Sequence, residues 1–167
     1  MTTPTVAPPA ITLLPSVYTA GGQSGDYVWM LAQPAYARAL FIFNDNEPQF
    51  LAFQSGIQPG GGNGVIRPFQ ADYQRAAGIP TGPNYTSLTP QVQAMIDMAL
   101  AHIGVLLKTG KYDTLVYSVS ATDPNRIGTN IFAVGDDVRA AIITGIRALL
   151  PAPAPVPVPP APPAPVL

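Results

Sequence analysis

The chain has 167 residues, enough for one domain with its own core and too few for two, and only 10% of them are charged, against roughly 25% in an average soluble domain. A formal net charge of -1 offers nucleic acid or anionic lipid no electrostatic attraction. With no cysteine and a single histidine, His102, disulfides, thiolate nucleophiles and His-rich zinc or iron sites drop out; catalysis would fall to carboxylates, amides, hydroxyls, arginines, backbone N–H groups or an oxygen-held cation, and no resident cofactor is expected.

Residues 1–9, rich in Pro and Thr, read as a flexible end; they lack the basic start and apolar core of a signal peptide. No apolar run approaches the roughly 20 residues of a membrane span, so a soluble, cytoplasmic protein is expected. Residues 11–14 suggest a short strand, and residues 39–43 (Ala-Leu-Phe-Ile-Phe) a buried one that stops at Asn44-Asp45-Asn46. A glycine run follows at Gly60-Gly61-Gly62-Asn63-Gly64. It lacks the Gly-Lys-Ser/Thr of a P-loop and the spacing of a dinucleotide fingerprint, which leaves a surface turn or a backbone cradle for an anion.

Thr89-Pro90 opens the clearest helix, with Thr as cap and Pro at the first helical position. Apolar residues recur at helical spacing from Val92 to Leu107, and Thr109-Gly110 stops the run. His102 within it reads as a packing histidine or, failing that, a base. Residues 113–119 form a β-branched and aromatic strand. A second helix starts near Asp136-Asp137, where the helix dipole favours negative charge, and ends at Pro151. Strands alternating with helices indicate an α/β domain over residues 10–150 with a covered, largely parallel sheet. The Pro/Ala/Val sequence of residues 151–167 reads as a disordered polyproline II tail, either a spacer or a docking peptide for a protein partner.

Ligands of such sheets collect at the carboxyl ends of the strands. That rule places Asn44, Asp45 and Asn46 beside a cleft, where they would orient a water or bond a sugar hydroxyl. Gly128-Thr129-Asn130-Ile131-Phe132, between a strand and the last helix, forms a second small-residue loop. Together with Gly60, Gly61, Gly62 and Asn63 it could clasp a diphosphate through amide donors, with Ile131 and Phe132 as apolar walls. Arg67 could take a phosphate in bidentate fashion, or pair with Asp72 or Glu47.

The order of these pieces resembles the macrodomain, the ADP-ribose-binding α/β/α module. Within that group, Leu40-Phe41-Ile42-Phe43-Asn44-Asp45-Asn46, Gly61-Gly62-Asn63-Gly64-Val65-Ile66-Arg67 and Ala77-Gly78-Ile79-Pro80-Thr81-Gly82 are similar to an uncharacterised phage and bacterial set with Phe-Gly-Asp-Asn, Gly-Gly-x-Ala-x-Ile-Arg and Gly-Ile-Pro-Thr-Lys. The resemblance implies a three-layer fold with a mixed, mostly parallel sheet. It also implies a cleft for ADP-ribose or a related nucleotide, and Asp26 in the role of the carboxylate that contacts the adenine amino group. Hydrolysis of an ADP-ribose linkage would then use Asn44, Asp45 or Asn46. Two positions depart from the pattern: Asn44 stands for its glycine and Gly82 for its lysine. The other expectations are a phage-derived interaction or structural protein tethered by the tail, in a host cytoplasm or a virion, and a cation-dependent phosphatase or nuclease if Asp45, Glu47 and Asp72 converge.

Overall fold

The computed structural model describes residues 10–58, 60, 64–71, 74–129 and 131–150. Four strands, β1 (Thr12–Ser16), β2 (Ala39–Asp45), β3 (Ala76–Pro80) and β4 (Thr114–Ser118), form one sheet in the order β1-β4-β2-β3. All three pairings are parallel, so the antiparallel member expected of a mixed sheet is not found among the described residues. Four α-helices accompany them: α1 (Tyr27–Leu31), α2 (Glu47–Gln54), α3 (Pro90–Leu107) and α4 (Asp136–Ala148).

The alternation of side chains along each strand divides the core in two. Leu40, Ile42, Ala77, Ile79, Leu115 and Tyr117 face α3 and α4. Phe41, Phe43, Ala76 and Val116 face the other way, under Met30 and Leu31 of α1 and under Ile66. Both faces are thus covered, as a parallel sheet requires. The prolines at Pro15 and Pro80 lie in the two edge strands, where a missing N–H leaves no central ladder bond unmade.

The Thr89 hydroxyl caps α3, accepting from the Val92 amide at 3.2 Å, and the buried stripe Val92, Ile96, Ala99 and Ile103 lies on the sheet. By length and composition α3 is apolar enough to cross a membrane, yet here that stripe serves as core. His102 packs edge-on to Phe53 of α2 at 5.9 Å between centroids, and burial lowers its pKa from the ordinary value.

β1 and β4 are neighbours in the sheet, yet the chain leaving β1 crosses one face with α1, while the chain leaving β4 crosses the other with α4. The connections after β1 and β4 therefore part to opposite faces. A crevice opens at the carboxyl edge between them.

Candidate functional site

That crevice is a cleft of about 570 Å³. Its floor is the carboxyl ends of β1, β4 and β2, including Ser16, Ser118 and Asn44; its walls are the β1–α1 turn, the segment from Gly64 to Ile66, and the loop from Gly128 to Phe132 that leads to α4. Asp26, Asn44, Asp45, Asn46, Gly128, Thr129, Ile131 and Phe132 all border it. Gly61, Gly62, Asn63 and Asn130 lie outside the described residues.

The three residues expected to act on substrate have other attachments. Asn44 donates from Nδ2 to the Gly128 carbonyl at 2.6 Å, which fixes the start of the loop, and its Oδ1 is buried without a partner. Asp45 is fully buried and takes Arg67 on Oδ1, from Nε at 3.1 Å and from Nη2 at 2.5 Å; its Oδ1 also accepts the Asn46 amide at 2.8 Å. Asn46 caps α2, its Oδ1 accepting the Gln49 amide at 2.9 Å. All three border the cleft, and each also has a structural attachment: Asn44 holds a loop, Asn46 starts a helix, and Asp45, buried against Arg67, is corrected from a group that reaches into the cleft to one that pairs an internal cation.

Arg67 differs from expectation in the same way. It is 2% exposed, pairs with Asp45 and not with Glu47, and donates from Nη1 to the Gly60 carbonyl at 2.7 Å. Its guanidinium is thus an internal brace between β2 and the glycine segment, with Phe43 at 5.9 Å from its centre. Burial pushes the Asp45 carboxyl up from the ordinary range, against the pull of Arg67. Glu47 instead accepts the Tyr85 hydroxyl at 2.7 Å, so Asp45 and Glu47 do not converge on a cation site. Gly60 itself is exposed and does not border the cleft.

Asp26 caps α1 and accepts the amides of Gly22 at 2.9 Å, Val28 at 3.0 Å and Trp29 at 3.3 Å. Those amides, Gly22 foremost, hold its carboxyl below the usual range. At the other end of the cleft the ring of Phe132 lies over Gly82, so close that a Cβ there would collide with it. Gly82, where the resemblance leads one to expect lysine, is therefore roofed by an aromatic ring.

Two features of the cleft escaped the sequence. Tyr18, Val28 and Val65, between 49% and 66% exposed, join the expected Ile131 in giving its mouth an apolar rim; singly, such residues carry no signal. Arg139 of α4 also lines the cleft, though its spacing from Asp136 reads in sequence as an ordinary surface pair. Its Nε donates to the Ile127 carbonyl at 2.9 Å. Among the described residues, the amides of Thr129, Ile131 and Phe132 donate to no other group. Unengaged N–H groups along one loop, near a guanidinium, can accept an anion.

No family model, no curated protein and no solved structure matches this chain.

Proposed function

We propose that the cleft binds ADP-ribose or a related nucleotide in a macrodomain-like manner. The observation that carries this reading is the loop from Gly128 to Phe132, with its unengaged amides at the carboxyl edge of a parallel sheet. Asp26 at the opposite wall is ionised at neutral pH and suits a ligand's amino group. The cleft is of the size that holds a small organic ligand. Binding is proposed in preference to hydrolysis, because the Asp45 carboxylate is buried against Arg67 and Asn44 and Asn46 each hold a scaffold group.

Isothermal calorimetry with ADP-ribose tests the reading, with Ile131→Glu as the control. Ile131 is 59% exposed, so the change places a carboxylate at the loop without disturbing the core. Gly128→Glu would serve less well, since a Cβ there meets the Val119 carbonyl at 2.8 Å. The expected outcome is micromolar binding that Ile131→Glu weakens at least tenfold; absence of heat with ADP-ribose, ADP and NAD would sink the nucleotide reading. The apolar rim favours a second reading, that of an interaction protein whose partner covers the mouth of the cleft.

A further inference from the structure

We propose that Arg139 is the cation that meets the phosphate groups of the ligand, an inference that rests on the nucleotide reading and names the residue that would give it affinity. Arg139 is anchored from both ends of its own residue. Its backbone carbonyl accepts the Ile127 amide at 3.3 Å, and its Nε returns a bond to the Ile127 carbonyl at 2.9 Å. This reciprocal pair aims the guanidinium along the segment that leads into the Gly128 loop, and the side chain stays 20% exposed while lining the cleft.

Its charge is poorly matched within the protein. Nη1 reaches Asp136 Oδ1 only at 3.5 Å, and the other oxygen of that carboxylate is taken by Arg126 at 2.7 Å. Nη2 of Arg139 donates to no other described group. Among the described residues bordering the cleft, Arg139 is the one arginine; Arg67 is buried against Asp45, and Arg38 is paired with Asp113. A guanidinium held by one close bond and one long ion pair, with a donor to spare on the same cleft as unengaged amides, is suited to a phosphate oxygen.

The test is calorimetry on the full chain with ADP-ribose, adenosine and inorganic pyrophosphate, comparing the native sequence with Arg139→Gln and Arg139→Lys at two salt concentrations. One charge-assisted contact predicts that Arg139→Gln weakens ADP-ribose binding by about tenfold or more and flattens its salt dependence, while adenosine binds within twofold of native. Arg139→Lys, which keeps the charge and drops the Ile127 bond, is expected to recover part of the loss. Native-like ADP-ribose binding by Arg139→Gln overturns the proposal while leaving the nucleotide reading standing. So does an equal loss for adenosine, or a lysine variant as weak as the glutamine one. If the native chain binds neither ADP-ribose nor adenosine, the nucleotide reading fails; pyrophosphate binding that Arg139→Gln abolishes then upholds Arg139 as an anion contact, and no pyrophosphate binding overturns it.

Discussion

At the scale of single residues, polarity at a strand end does not say which way the polar groups turn. Asn44, Asp45 and Asn46 sit at the edge of the cleft as expected, yet each is also tied to a scaffold group, Asn44 to the Gly128 carbonyl, Asp45 to Arg67 and Asn46 to the Gln49 amide. The Asp45–Arg67 pair matters most for stability. Both partners are withdrawn from water, so removing one strands the other as a buried charge. Arg67→Ala is expected to destabilise the fold by about 3–5 kcal/mol, measured by urea denaturation. Asp45→Ala combined with Arg67→Ala should cost clearly less than the sum of the two single changes; a strictly additive double variant would mean that the pair is not coupled in the folded chain. Arg67 was recognisable in sequence as an unusual cation. Its partner was not, because 22 positions separate the two residues and only the fold brings them together.

At the scale of elements, what could be read in advance depended on how strongly each segment's pattern spoke for itself. The helix from Pro90 carried a Thr cap, a Pro at its first position and a stripe of apolar residues at helical spacing, and it forms as expected. β3 went unread because Ala-Ala-Gly-Ile-Pro has little strand propensity; it is a strand because β2 offers it a ladder and every one of its residues is buried. The start of α4 shows the same dependence on neighbours. Gly135 caps the helix without a side-chain bond, and its amide donates to the Tyr85 carbonyl at 2.8 Å. A Cβ at this position would run into the Thr86 carbonyl, which is backbone and cannot swing aside. Gly135→Ala is therefore expected to lower thermal stability by about 1–3 kcal/mol, the range of an overpacked site, and to weaken ligand binding by shifting the Gly128 loop. Calorimetric melting and binding on the same variant check both; an unchanged melting temperature would show that the contact relaxes freely.

At the scale of the whole molecule, the core cluster on the α3 and α4 side is closed by residues up to Leu150, which packs against it with Leu149. The segments 1–9 and 151–167, expected to be flexible ends, lie outside the described residues. A chain ending at residue 150 is expected to melt within about 2 °C of the full chain, as for changes that leave a core intact, and to bind ADP-ribose equally well. A fall of many degrees would make the Pro/Ala/Val segment part of the fold.

The sequence by itself determined the α/β class, the long helix, the two strongest strands and the carboxyl edge at which the cleft opens. These follow from local periodicity, capping residues and β-branched runs, which act over a few neighbours. Only the tertiary structure decided that β4 inserts between β1 and β2, that the three polar residues after the second strand turn to scaffold partners, and that Arg139, not Arg67, faces the cleft. Each of those outcomes depends on pairing groups far apart in the chain, and a buried charge or amide takes whichever partner the packed sheet places within reach.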